Sequence, residues 1–302
     1  MRFLDVKTDY AFKKVFGSDQ SKDVLLSFLN AVLQFPKGNT VTDLQIVDPY
    51  QMPLLKGMKE TCVDVKAVLS DDSTVIVEMQ VLNYEGFEKR VLYNVAKAYS
   101  TQLLSGEDYH LLNPVIALTI TDFVMFPEFT KVASYFRLRE KDEPVEYSRD
   151  VELVFLELPK FAKTEDEMET LADKWLYFLQ NAGRLDYVPA TLATEASINK
   201  AFVIANEAGL TKEELEDQHR RKDFIYSQRR AMETAENRGR LEGWLEGRLE
   251  GGAALLEHQL VRRFGPLPEP FRAMLRNADE ATLLLWGDRV LTAASLDEVF
   301  AK

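Results

Sequence analysis

The chain has 302 residues, 46% of them hydrophobic and 28% charged, the proportions of a soluble globular protein long enough for about two domains. A formal net charge of −12 argues against a protein that coats nucleic acid through bulk electrostatics, although it leaves room for a local basic groove. The single cysteine, Cys62, excludes an internal disulfide and a Cys-rich zinc constellation and suits a reducing, cytoplasmic setting, while no window approaches the roughly 18 apolar residues of a membrane span.

The first periodic segment is SKDVLLSFLNAVLQF (Ser21 to Phe35), whose Val24, Leu25, Phe28, Leu29 and Val32 follow a helical spacing behind a Ser cap. Pro36, Gly38 and Asn39 are expected to stop it. A short strand is expected at TDLQIVDP (Thr42 to Pro49), then a loop to about Lys59, then two strands in VDVKAVLSDDSTVIVEMQ (Val63 to Gln80) around the turn formers Ser70 to Ser73. In Tyr84 to Gly106 the residues Phe87, Val91, Val95, Ala98 and Leu103 mark a helix, and NPVIALTIT (Asn113 to Thr121) is apolar enough to be a central strand covered on both faces. The order is helix, strand, strand, strand, helix, strand: an α/β class with a mixed-sheet αβββαβ core. Further strands are expected at VASYFRL (Val132 to Leu138) and VELVFLEL (Val151 to Leu158), and helices in Glu165 to Gly183 and Ala193 to Gly209.

From Leu210 to Phe264 the sequence is charged, with eleven basic and eleven acidic residues, and reads as one long exposed helix or two. Within it glycine recurs at 239, 243, 247 and 251. Each glycine costs a helix about 1 kcal/mol against alanine. The ladder leaves two readings open, close helix-to-helix approach in a homo-oligomer or a semi-flexible tether. Pro266, Pro268 and Pro270 end the tract, and a small helical unit closes the chain. The expected organisation is a core at 1–163, a helical extension at 164–209, the Gly-repeat helix at 210–264 and a C-terminal helical domain at 265–302.

Polar residues interrupt the hairpin. Alternation puts Cys62, Asp64, Lys66 and Val68 on one face of its first strand and Ile76, Glu78 and Gln80 on one face of its second. Asp64 stands opposite Glu78 only if Leu69 pairs with Ser73 across a three-residue loop, so convergence of the two acids demands an odd loop or a bulge. Two carboxylates and an amide oxygen at a sheet edge form a hard-oxygen site suited to Mg2+ or Mn2+, and Lys66 is placed to stabilise charge or orient a water. The plain alternative is an amphipathic hairpin with solvent-facing acids. The three histidines sit beside no nucleophile motif, the three tryptophans read as packing residues, and G-x-S-x-G, GK[ST] and G-x-G-x-x-G are all missing from the sequence.

Several stretches resemble the PD-(D/E)XK nuclease superfamily, and more closely the Rpn family of recombination-promoting nucleases and transposases: TDYAFKKVFG (Thr8 to Gly17), VEMQ (Val77 to Gln80), KRVLYNVAKAYSTQLLSGEDY (Lys89 to Tyr109) and FLELPKF (Phe155 to Phe161). The C-terminal segment from Phe264 resembles a small domain often appended to such proteins. The resemblance implies a restriction-endonuclease-like core, metal-dependent DNA endonuclease activity linked to recombination or element mobility, and Asp64 and Glu78 as ligands of Mg2+ or Mn2+. Gln80 occupies the place where the superfamily's usual motif has lysine. Lys66, Lys13 and Arg90 are then the candidate cations, with Asp9 a further acid. The competing expectation is a non-enzymatic interaction module on a domesticated nuclease fold.

Overall fold

The computed structural model describes residues 2–35, 40–51 and 59–301. The helix stop expected at Pro36, Gly38 and Asn39, and most of the loop expected before Lys59, lie outside the described residues.

Two amphipathic helices come first. Helix α1 (Asp9–Phe16) buries Ala11, Phe12, Val15 and Phe16, and α2 (Lys22–Val32) buries the five apolar residues of the expected stripe. Strands β1 (Leu44–Val47), β2 (Tyr50–Gln51), β3 (Thr61–Cys62), β4 (Val65–Leu69) and β5 (Thr74–Gln80) follow, then helix α3 (Phe87–Ser100) and strands β6 (Val115–Thr121), β7 (Ala133–Arg139) and β8 (Glu146–Glu157). Six strands form one mixed sheet in the order β1-β4-β5-β6-β8-β7; β5, β6 and β8 run parallel, and β4, β1 and β7 are joined antiparallel at the flanks. Strands β2 and β3 pair separately. The αβββαβ order expected from the sequence is present.

The sheet divides two cores. Strand β6 serves both, as its nearly continuous apolar run requires: Ile116, Leu118 and Ile120 face one core, Val115 and Ala117 the other. On the first face α1 and α2 pack with helices α4 (Leu171–Asn181), α5 (Ala190–Ala193) and α6 (Ala196–Ile204), and Trp175, Phe178 and Phe202 are buried among them. The Trp175 ring lies 5.8 Å from Phe16 and 5.7 Å from Phe28, in tilted and edge-on contacts that suit ring quadrupoles. On the second face α3 lays Phe87, Val91, Val95 and Ala98 against Val63, Ile76 and Phe155.

The β4–β5 hairpin has the register that brings its acids together. Val65 pairs with Val77 and Val68 with Thr74, and the Leu69 N–H donates to the Ser73 carbonyl at 2.9 Å, leaving a loop of Ser70, Asp71 and Asp72. Asp72 adopts φ 65°, a left-handed conformation that aspartate tolerates better than most residues, and its N–H donates back to the Leu69 carbonyl at 3.0 Å. A three-residue loop closed by a left-handed residue is the turn-plus-bulge that this pairing requires.

The chain forms two compact units, Met1–Tyr226 and Ser227–Lys302. Helix α7 (Lys212–Phe264) is continuous, and from His219 to Leu255 none of its residues is buried. It ends at Gly265, whose φ of 86° reverses the chain while its N–H caps the Val261 carbonyl at 2.9 Å. In the second unit the last turns of α7 pack Leu256 and Leu260 against α8 (Glu269–Arg276), α9 (Glu280–Thr292) and α10 (Leu296–Val299), with Trp286 and Phe300 in the small core. Trp175 and Trp286 are packing residues as expected; Trp244 is not, being 57% exposed on the unburied stretch of α7 beneath the Arg248 guanidinium. No helix of the described residues is long and apolar enough to cross a membrane.

Candidate active site at the end of strand β5

The last residues of β5 carry the polar break in an otherwise apolar strand. Val75, Val77 and Met79 enter the core under α1 and α2, so alternation turns Glu78 and Gln80 toward α3. Arg90 and Asn94, one turn apart on α3, lean over them. The Arg90 guanidinium contacts Glu78 Oε1 through Nη2 and also donates to Gln80 Oε1 at 3.0 Å, while Asn94 Nδ2 donates to Glu78 Oε2 at 3.4 Å. The Gln80 amide nitrogen is committed to the Leu82 carbonyl at 2.8 Å, so its oxygen is the atom that faces Arg90.

Asp64 arrives from the other side. It sits in a bend one residue before β4, where the strand has not yet reached the Met79 N–H, and its Oδ2 accepts that proton at 2.8 Å in place of a backbone carbonyl. Its Oδ1 faces Lys13 Nζ at 3.5 Å. Lys13 also pairs with Asp9 Oδ1 at 2.8 Å, an i, i+4 pair on the exposed side of α1, and Asp9 Oδ2 meets Arg221 Nη1 at 3.2 Å.

Burial dominates the electrostatics. It pushes the Asp64 carboxyl up to about 7; the Met79 N–H and Lys13 oppose it and the neighbouring Asp9 adds to it. Burial likewise raises Glu78, against the pull of Arg90 and Asn94. Burial would raise Asp9 too, but its hydrogen bonds with Lys13, Asp64 and Arg221 outweigh that and hold it below the usual range. Both carboxyls sit above their ordinary values because burial outweighs the cations beside them, Lys13 and Arg90.

Asp9, Lys13, Asp64, Glu78, Gln80 and Arg90 line one cleft of about 670 Å³. Lys66 does not line it. Lys66 lies half-buried within β4, opposite Val47 and Ile76; burial lowers its pKa and the nearby charge is Asp48. The sequence reading did not single out Asn94, nor the cleft-lining Lys59 and Lys89. Asn94 had a signal: it is a polar residue inside the apolar stripe Val91, Val95, Ala98, and it is 2% exposed.

The other quoted stretches hold the frame. In FLELPKF the fully buried Glu157 accepts from the Met125 and Phe126 N–H groups at 2.6 and 3.0 Å, and Lys160 Nζ bridges Glu157 Oε2 at 2.5 Å and the Phe126 carbonyl at 2.7 Å. This pins the segment that follows β6. Tyr99, in the α3 stretch, donates to Asp150 at 2.9 Å.

A model of the PD-(D/E)XK nuclease family transposase matches residues 6–235. The chain belongs to this family. The match takes in the whole sheet, α1 to α6 and the first turns of α7, so the mixed sheet is that of a restriction-endonuclease-like α/β fold. Comparison with curated proteins and with solved structures finds no match.

The family uses divalent metals in general, and the residues present fit one. The donors of Asp64, Glu78 and Gln80 are hard oxygens, and the raised carboxyls are of the kind a cation would restore to ionised form. Among the described residues no three His, Cys, Asp or Glu side chains gather as a metal-holding group. Two carboxylates with water and phosphate completing the shell are, however, a frequent Mg2+ arrangement.

Proposed function

We propose that this chain is a metal-dependent DNA endonuclease that hydrolyses phosphodiester bonds, with a part in recombination or element mobility. The observation that carries the reading is the convergence of Asp64, Glu78, Gln80, Lys13 and Arg90 on one cleft at the C-terminal end of a central strand, in a member of a nuclease family.

Asp64 and Glu78 would hold Mg2+ or Mn2+, with the Gln80 amide oxygen as a neutral neighbour. When bound, such an ion polarises the phosphate and lowers the pKa of a water. The protein's own residues supply the rest. The Met79 N–H fixes Asp64 and the Asn94 amide fixes Glu78, so neither carboxylate has to be oriented at the moment of reaction. Gln80 cannot supply the charge of the lysine it replaces in the usual motif. Lys13 and Arg90 face the same cleft and do so, Lys13 from α1 and Arg90 from α3, on either side of the acids. Lys59 and Lys89 add positive charge along the walls, so that the four cations of the cleft offset its four acids, Asp9, Glu60, Asp64 and Glu78, and a DNA backbone meets lysine and arginine there in an otherwise acidic protein.

Supercoiled DNA incubated with the purified full chain tests this reading. Nicking or linearisation that requires Mg2+ or Mn2+, stops with chelator and disappears in Asp64→Ala supports it. Failure to cleave any DNA form under these conditions overturns it in favour of a non-enzymatic interaction module.

A further inference from the structure

The four oxygens of Asp64 and Glu78 all have partners. Asp64 Oδ2 is held by a backbone N–H and Oδ1 by Lys13; Glu78 Oε2 is held by Asn94 and Oε1 by Arg90, which also takes the Gln80 oxygen. These partners differ in how firmly they are fixed. Asn94 is buried and its neighbours on α3 are core residues, so it stays. Lys13 has a second acid, Asp9, at 2.8 Å. Arg90 is different. Its side chain is 43% exposed against 11% for Glu78, Glu78 is its one acidic partner among the described residues, and its other neighbour is the Phe87 ring at 5.4 Å.

A guanidinium and a hard cation need the same lone pairs on Glu78 Oε1 and Gln80 Oε1, and two positive charges side by side repel. We infer that Arg90 and the divalent ion compete for these oxygens, so that metal binding releases the guanidinium into the cleft, where it meets the phosphate. This inference rests on the reading of the cleft as a divalent-metal site. It gives Arg90 two successive partners, the Glu78–Gln80 pair and then the phosphate, and it accounts for a cation placed on α3 in a chain whose strand carries glutamine at the usual lysine position. The Phe87 ring supports the guanidinium at the base of its swing, since a planar cation over an aromatic face stays favourable while its hydrogen-bond partners change.

The inference makes an asymmetric forecast: removing Arg90 should improve metal binding while impairing cleavage. Mn2+ binding to the full chain without DNA, followed by titration calorimetry, is the measurement. Arg90→Met should bind Mn2+ more tightly than the parent by on the order of tenfold, the worth of one partly exposed ion pair with a buried acid. Arg90→Gln, which keeps a hydrogen bond without charge, should also tighten binding, and Arg90→Lys should stay near the parent. All three should cleave more slowly, Arg90→Lys least so. If Arg90→Met and Arg90→Gln bind Mn2+ no tighter than the parent while Asp64→Ala abolishes binding, the competition is wrong and the metal site stands. If Asp64→Ala binds Mn2+ as the parent does, the metal reading itself falls.

Discussion

Asp64 does two jobs with one carboxylate: it completes the hydrogen bonding of β5 through Met79 and it faces the cleft. Its burial sets a pH signature. The unfolded chain releases this proton near the ordinary aspartate value of 3.8, whereas the folded protein holds it up to about 7. Between those values the native state binds more protons than the unfolded state, so the group's contribution to stability falls as pH rises through the window and is constant above it. Thermal melts in chelator should show the parent losing stability from pH 5 to pH 8 relative to Asp64→Asn, by on the order of several degrees. Parallel profiles for the two proteins would mean that the carboxyl is not held protonated. Gln80 makes a second residue-level forecast. Its nitrogen is occupied by Leu82 and its oxygen by Arg90, so it positions rather than supplies charge, and Gln80→Ala should slow cleavage by about tenfold to a thousandfold with DNA binding retained. An unchanged rate would remove Gln80 from the site.

At the scale of elements, two segments hold the frame around the cleft. The first turns of α7 grip the N-terminus of α1 with one face: Glu214 accepts from the Tyr10 hydroxyl at 2.6 Å, Gln218 accepts from the buried Thr8 hydroxyl at 3.1 Å, and Arg221 meets Asp9. The Tyr10 bond pulls the Glu214 carboxyl down to about 2, and α1 presents Asp9 and Lys13 from a fixed start. The Glu157–Lys160 pair is a lock of another kind, with side chains 0% and 9% exposed. Lys160→Met strands a buried carboxylate and should cost about 3 kcal/mol or more in urea unfolding; a loss under 1 kcal/mol would show that the two N–H donors suffice. On the later part of α7, a Cβ built at Gly239, Gly243, Gly247 or Gly251 meets nothing within 4 Å. Gly243→Ala with Gly247→Ala should therefore raise helicity by circular dichroism and stabilise the second unit by about 1–2 kcal/mol. A fall instead would reveal a close neighbour on that face, such as a second copy of the chain. The hairpin was legible in the sequence because alternation and loop length constrain each other, and α3 and β6 because their apolar patterns are long. Lys66 misled because alternation was carried through Asp64, whereas β4 begins only at Val65 and Asp64 lies in a bend; Val63, not Asp64, enters the core under α3. The grip of α7 on α1 joins residues about 200 positions apart, and no local pattern announces such a pairing.

For the molecule as a whole, the charge distribution matters more than the total. A net charge of −12 repels a DNA backbone at a distance, yet the cleft sets Lys13, Lys59, Lys89 and Arg90 among the acids Asp9, Glu60, Asp64 and Glu78. On the proposed reading the acids would attract a divalent ion and the cations a phosphate, so hydrolysis would need both halves of the site. This makes the charge of Glu78, more than its shape, the sharpest point of the account. Glu78→Gln keeps an oxygen that can accept from Arg90 and an amide that can donate to the unpartnered Asn94 oxygen once that amide turns over, but removes the negative charge that would hold the ion. Single-turnover nicking of supercoiled DNA in saturating Mg2+ by the parent and by Glu78→Gln is the deciding measurement. The parent should nick at a metal-dependent rate and Glu78→Gln should lose more of it than Gln80→Ala, whereas cleavage by Glu78→Gln as fast as the parent would contradict the placement of the metal and with it the active site.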